Sequence, residues 1–550
     1  MECRLTAEPV AARLAGDVRF KSLIGSAFFP VLTAILAALI IWSVFTGGVR
    51  RGMDHAITWG PESELNGMAI AISEMKHGLD GYVGYSLMAE ALNKIVKRGT
   101  EGPADPKFLS NLTNGDLINE AIAAAAALGP QPESFIAQRS LMTMVYDDIG
   151  IVDYDKIAFT LFGFKVQSLY DLFFVVLSLS TVAFLLQFWQ RPVAQVLLLC
   201  NLFAFYLELD TLVFSQHVPS FWGMRHGSTL AILPMWHLVL LMAYRSRLSA
   251  ATVIFALIQI AILVLAIRIR GSAAWTVIFM AGLAVFFAIQ AWRESVPGER
   301  SVMKVARSAL RWPFVLLLIC LLSSKVYTDA KLHPAYFTDD IMPYHGAWHS
   351  AYLGIYLSPT LFATTGETLE RWGDRSGYDA ALAYLRKKGF IKTESEYISP
   401  WTATYKMRLH DNTMRAVYLS VVSEHPFSTL ALYLYWKPRQ IFYTTLLVLE
   451  SIPLTLWLAA LLGGMALAAS TLLVQRTPTA EIRNALLLGL AVMIFSSIPN
   501  VWAYASSHAI ADLVLSTLVF VVLGAWAIWL KLIEWLWNRT ANPARRGTAR

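Results

Sequence analysis

Long apolar runs dominate this chain, and they fall into blocks separated by polar stretches broken by proline and glycine. A helix needs about 20 apolar residues to cross the hydrocarbon core of a bilayer, and by that measure about ten spans are predicted. They lie near 24–46, 168–188, 193–214, 228–244, 248–267, 273–292, 312–326, 447–474, 484–501 and 509–530. The eighth contains Glu450 and Pro453, so it is expected to begin as an interfacial helix before it crosses. The chain then divides into a tail (1–23), a first transmembrane helix (24–46) and a first outer loop with amphipathic helices (47–167). A transmembrane block (168–326), a second outer loop forming a small helical domain (327–446), another transmembrane block (447–530) and a basic tail (531–550) follow.

Composition agrees with the pattern. Of 550 residues, 56% are hydrophobic and 15% charged, more apolar surface than a soluble fold of this size can hide. The predicted class is an all-α polytopic membrane protein with two long outer-face loops. A net charge of +7 does not point to nucleic acid, because the basic residues flank the apolar runs and read as topology signals. Clusters in 1–21, 293–311 and 531–550, with Arg191, Arg245, Arg247, Arg476 and Arg483, are satisfied together if both termini are cytoplasmic. Arg268 and Arg270 are the exception, since they fall on the outer side with the long loops. A bacterial inner (plasma) membrane is the expected location. Ser26–Thr46 is long for a signal-peptide core and reads as a signal anchor. The 3 cysteines, Cys3, Cys200 and Cys320, offer no disulfide framework.

Candidate chemistry gathers at the outer edge. Met53–Gly78 carries Asp54, Glu62 and Glu64, followed by Met68, Ala71, Ile72 and Met75 at helical spacing, the pattern of a helix lying on a membrane surface. Such carboxylates can serve as general bases or metal ligands; the alternative is a solvated loop with an amphipathic helix. Glu208 and Asp210 near the end of the third span face Arg225 across a short loop, either as a salt bridge or as a cavity wall. Lys437 and Arg439 precede the eighth span. They, like Arg225, are candidates for holding a phosphate, or else interfacial anchors. In the second loop His345 and His349 stand four apart, on one face if that segment is helical, with Trp348 between them. Substrate hydrogen bonding, a metal site and a structural role all remain open for them.

Two stretches carry a resemblance. DYDKIAFTLFGFKVQSLYDLFFVVL (Asp153–Leu177) places an LFG box before the second span, and SEHPFSTLALYLYWKPRQIFY (Ser423–Tyr443) precedes the late spans. Together they resemble the GT-C superfamily of polytopic glycosyltransferases, which includes bacterial relatives of protein O-mannosyltransferases and the lipid A aminoarabinose transferase. The resemblance implies transfer of a sugar from a polyprenyl-phosphate carrier to a lipid, glycan or protein acceptor on the outer face. It implies an acid early in the first outer loop as base, by position Asp54 with Glu62 or Glu64 as substitutes, sometimes beside a divalent metal such as Mg or Mn. The chain departs from that pattern, having Asp54-His55 and Glu62-Ser63-Glu64 where an adjacent acidic pair is usual.

Two other classes compete. HGAWHSAYLGI resembles the histidine segment of O-antigen ligases, which with the related polymerases act on lipid-linked glycans. A transporter would be expected to show inverted repeats and broken mid-membrane helices, and the spans have no such half-to-half symmetry. No P-loop, GxGxxG, GxSxG or CxxC motif is present.

Overall fold

The computed structural model describes residues 29–49, 61–85, 115–127, 142–144, 148–208, 225–244, 246, 248–295, 303, 305–306, 310–338, 340–344, 346–399, 405–455, 457–458, 461–463, 465, 468, 479–503 and 510–540. Asp54, Asp210 and His345 lie outside these residues, as do the side chains of Glu62, Glu64, Glu208 and Arg225.

In chain order the elements are α1 (Phe29–Thr46), α2 (Pro61–His77), β1 (Val83–Tyr85), α3 (Gly115–Ala127), β2 (Met142–Met144) and α4 (Gly150–Phe162). Then come α5 (Gln167–Gln187), α6 (Pro192–Glu208), α7 (Ile232–Ala243), α8 (Ala250–Ile269), α9 (Trp275–Glu294) and α10 (Trp312–Lys331). The second loop supplies α11 (Ala347–Leu353), α12 (Asp374–Lys387) and α13 (Met407–Glu424), before α14 (Lys437–Ser451), α15 (Thr479–Ser496) and α16 (Ala511–Thr540). A two-stranded antiparallel ribbon, β1 on β2 with Gly84 opposite Thr143, is the sole sheet among the described residues.

Among the described residues, seven stretches are helical, long and apolar enough to cross a membrane: Phe29–Thr46, Gln167–Gln187, Ala250–Ile269, Gly271–Glu294, Trp312–Lys331, Ala480–Trp502 and Ala511–Leu536. They make this a multi-pass helical membrane protein. The predicted spans 193–214 and 228–244 fall on apolar helices that are shorter over the described residues, Pro192–Leu207 and Gly227–Ala243. Much of 447–474 lies outside the described residues.

Polar side chains set how the helices meet, because hydrocarbon offers them no other partner. Ser180 of α5 donates to Gln259 Oε1 of α8 at 2.7 Å, and Gln259 returns a bond to the Ser180 carbonyl at 2.8 Å. The same amide nitrogen lies 3.3 Å from His237 Nδ1 of α7. Asp512 at the start of α16 accepts from Ser228 Oγ and from Trp275 Nε1, each at 2.8 Å. It thereby joins α16 to the 3-10 turn Arg225–Ala231 and to the head of α9.

The helix ends sort into two groups. At one end Trp312 Nε1 donates to the Ser246 carbonyl at 3.0 Å, and the Arg191 guanidinium sits 4.9 Å from the Tyr244 ring centre. At the other, the ends of α8, α10 and α15 meet α2, α4 and the second loop. Arg268 pairs with Asp153, Tyr336 bonds the Tyr82 carbonyl, and Trp502 Nε1 donates to the Ala347 carbonyl. This second group is called the loop end below.

Helix α2 differs from its expected place on a membrane surface. Met68, Ala71 and Ile72 are buried in the protein core, and the helix packs on β1 and α4. Its apolar stripe is covered by protein because α4 brings a matching stripe, Ile151, Val152, Tyr154 and Ala158, to the same core. The second loop has a core of its own, built around Tyr352, Leu361, Leu385, Tyr397, Met414 and Tyr418.

Candidate functional site

The turn that leaves α2 is unusual in backbone conformation. Gly81 has φ +84° and Tyr82 has φ +62°, and a left-handed tyrosine is uncommon enough to need support from its surroundings. Glycine is required at 81, since a Cβ there would come within 2.8 Å of the His333 backbone nitrogen. The His333 amide donates to the Gly81 carbonyl at 3.1 Å, and the Tyr336 hydroxyl donates to the Tyr82 carbonyl at 2.8 Å. Glu74 Oε1 accepts the Tyr82 amide at 2.7 Å. Both long loops thus hold the strained pair.

The Tyr82 side chain reaches an ion pair. Its hydroxyl accepts from Arg268 Nη2 at 3.0 Å and donates to the Asp153 carboxylate at 3.2 Å, while Arg268 also pairs directly with Asp153. Glu74 pairs with Lys156 one turn further along α4. Burial raises the Asp153 pKa above the ordinary carboxylate value, against the opposing pull of Arg268 and Lys156. Glu74 is raised for the same first reason. Burial, then the neighbouring Asp153 charge, pushes the Tyr82 hydroxyl up to about 12, so it stays protonated and able to donate. With 22% of its side chain exposed, Asp153 is a reachable carboxylate that binds a proton more readily than a surface one. Tyr82, Asp153 and Arg268 were not singled out in the sequence as chemical groups. The available signal was complementary charge: acids in DYDK before the second span, and basic residues at the one turn that breaks the topology rule.

Sequence-predicted residues are spread around this end. Glu62 and Glu64 stand in the first turns of α2, and Gly67, further along, lets the helix approach α4 so closely that a Cβ would lie 3.2 Å from Asp155 Oδ2. Glu208 is the last residue of α6, and Arg225 opens the 3-10 turn that carries Ser228 to Asp512.

Trp502 brings two predicted residues, Trp348 and Lys437, into one unit. Trp348 stacks edge-on against Trp502, ring centres 5.1 Å apart, and the Trp502 carbonyl accepts from Lys437 Nζ at 2.7 Å. Burial lowers the Lys437 pKa to about 7. Arg439, by contrast, is exposed, its guanidinium within 5.6–5.9 Å of the rings of Tyr443, Trp436 and Tyr435. His345 lies outside the described residues, and His349 stands in α11, which begins at Ala347. The partner of His349 is His410 of α13, Nδ1 to Nε2 at 2.8 Å, with Asp374 3.3 Å from its Nε2 and Tyr397 bonded to the far nitrogen of His410. Tyr378 stacks on His349, and a Cβ at Gly377 would come within 2.5 Å of that imidazole.

Among the described residues no group of three or more His, Cys, Asp and Glu side chains is placed to hold a metal ion. No family model, curated protein or solved structure matches the chain.

Proposed function

We propose that this protein is a membrane glycosyltransferase that moves a sugar from a polyprenyl-phosphate carrier to a lipid, glycan or protein acceptor at the outer face. The observation that supports it best is the meeting of both long loops over the ends of α8 and α10, around partly buried carboxylates. On this proposal the bundle crosses about ten times, with the loop end outside.

The chemistry is elementary. An acceptor hydroxyl has a pKa far above 7, so a carboxylate must take its proton as its oxygen bonds to the anomeric carbon. The bond from that carbon to the carrier phosphate breaks, and polyprenyl phosphate leaves with the electron pair. It needs no proton, only cations or donors to hold its charge. Asp54, Glu62 and Glu64 are the proposed bases, with Arg225, Lys437 and Arg439 as the proposed phosphate-facing cations and Glu208 and Asp210 as a cavity wall. Asp153, already paired to Arg268, orients rather than abstracts.

The test is release of free polyprenyl phosphate by the reconstituted protein, scored with polyprenyl-phosphate mannose, glucose, galactose and aminoarabinose. Amide variants of the three acids should lower release by about 10²–10⁴ in at least one case. Wild-type release from D54N, E62Q and E64Q alike would remove the mechanism.

One arrangement favours a second reading, a polymerase or ligase acting on lipid-linked glycans. His349 is bonded to His410 through Nδ1, which fixes its ring, and its Nε2 lies 3.3 Å from the exposed Asp374 carboxylate, which a substrate could displace. Loss of glycan transfer in H349Q, with the acid variants active, would select it.

A further inference from the structure

One helical rod runs unbroken from Pro426 to Ser451, through a π turn at Leu432–Trp436. Its inner side is fixed: Leu432, Lys437 and Ile441 are buried, and Lys437 Nζ is bonded to the carbonyl of Trp502. Its remaining surface is open and largely apolar, with Arg439 and Glu450 also exposed. Phe427 (85% exposed), Leu434 (72%) and Phe442 (64%) follow one flank, and Leu447 (65%) lies on another. So much exposed apolar surface on a folded protein calls for a covering.

We propose that this rod lies flat in the membrane interface, with its apolar side on the outer-leaflet lipids, and that the chain turns into the bilayer only at Pro453. Depth decides it. Trp502 closes the candidate span Ala480–Trp502, so Lys437 sits at the level where that span ends. At 1.5 Å per residue, Phe427 lies about 15 Å to one side of Lys437 and Glu450 about 20 Å to the other. A rod crossing a core about 30 Å thick would put exposed Glu450 deep in hydrocarbon and leave Phe427 well out in water. A flat rod avoids both. Helix α14 ends where Ile452 turns to extended backbone, and the apolar strip continues past Pro453 into Leu454 and Leu458. Exposed Arg439, among its aromatic rings, then stands at the level of the lipid phosphates, where both an aromatic belt and a guanidinium are stable. The inference is independent of any sugar chemistry.

Spin labels attached at L434C, F442C and L447C, in full-length protein with Cys3, Cys200 and Cys320 replaced by alanine, report depth in liposomes of phosphatidylethanolamine and phosphatidylglycerol. Oxygen and a nickel chelate serve as the collision reagents. The flat rod predicts depths within about 10 Å of one another, the spread of side chains around one helix, with no trend along the sequence; a crossing rod predicts position 447 about 20 Å deeper than 434. Such a gradient, water-like exposure of all three, or exclusion of both reagents by a protein partner would each overturn the proposal. Wild-type protein gives the same answer without substitution. A phospholipid with its photoreactive group near the glycerol should label Phe427–Leu447 throughout, and one with the group at the chain terminus should not.

Discussion

The Tyr336 hydroxyl donates to the Tyr82 carbonyl at 2.8 Å, and this buried bond joins the two long loops of the chain across 254 positions of sequence. The acceptor belongs to a residue in the left-handed region, so the bond also holds a backbone conformation that the chain would otherwise leave. Y336F should cost about 1–2 kcal/mol, the worth of a buried hydrogen bond whose acceptor is left unpaired. G81A should cost more, since it adds a left-handed penalty to a 2.8 Å clash. Unfolding by denaturant in detergent micelles checks the order; a G81A protein as stable as Y336F would contradict it.

Asp153 and Glu74 make stability fall as pH rises above the ordinary carboxylate range. Both pKa values are raised by burial, so the folded state holds their protons more tightly than the unfolded chain does. Their contribution is full below about pH 4 and is lost as pH rises through the folded values. R268Q removes the charge that restrains the Asp153 shift, and should extend the loss to higher pH. Thermal unfolding followed from pH 4 to 8 measures it; identical slopes in R268Q and wild type would refute the assignment.

His410 acts in the opposite direction. Burial, then the adjacent His349, pushes its pKa down to about 3, so the folded loop excludes a proton that the unfolded chain binds from its ordinary value of 6.5. The groups facing it are His349, Asp374, Tyr378, Tyr397 and Tyr405, and only the Asp374 charge favours protonation. Stability of the second loop should therefore be full above pH 6.5 and fall by about 1.4 kcal/mol per pH unit below it. H410N should flatten that slope. Proteolysis between Met407 and Glu424, scanned over pH, reads the opening directly.

Seven of the predicted spans were legible because a bilayer demands something local and countable, a run of apolar residues. The second loop, expected to form a small helical domain, holds helices α12 (Asp374–Lys387) and α13 (Met407–Glu424). What escaped is pairing over distance. Asp153 and Arg268 each looked like loop charges, and Arg268 looked like an error of topology, until the fold placed one against the other. Val83–Tyr85 is a strand because it finds Met142–Met144 as an edge partner, a pairing that no local pattern announces. The contact of His349 with His410 is of the same kind, since the two lie on different helices.

The proposed orientation puts the loop end outside. Cysteines introduced at Glu120 and Thr393 should react with an impermeant thiol reagent in intact cells, and one at Gln190 should not. Gln190 lies next to Arg191, at the end where Arg191 packs on Tyr244, away from both long loops. Labelling of Gln190 alone would invert the protein and move the candidate site to the cytoplasmic side.

Lys437 separates a structural amine from a phosphate-binding one. It is fully buried, donates to the Trp502 carbonyl and lies 4.4 Å from the Tyr433 ring centre. Burial lowers its pKa to about 7, so the unfolded chain binds a proton that the folded state resists between there and the ordinary 10.5. Wild-type stability should accordingly rise as pH increases from 7 towards 10. K437M keeps the length of the side chain and removes the titration, so its stability should be flat over the same window and no lower than wild type at pH 7. The lost bond to Trp502, about 1 kcal/mol, is offset by the charge no longer resisted. If the amine also meets a carrier phosphate, K437M should fold normally yet release polyprenyl phosphate at least tenfold more slowly. Normal release from a normally folded K437M would leave Lys437 as the peg that fixes the interfacial rod to Trp502, and would confine the proposed phosphate contacts to Arg225 and Arg439.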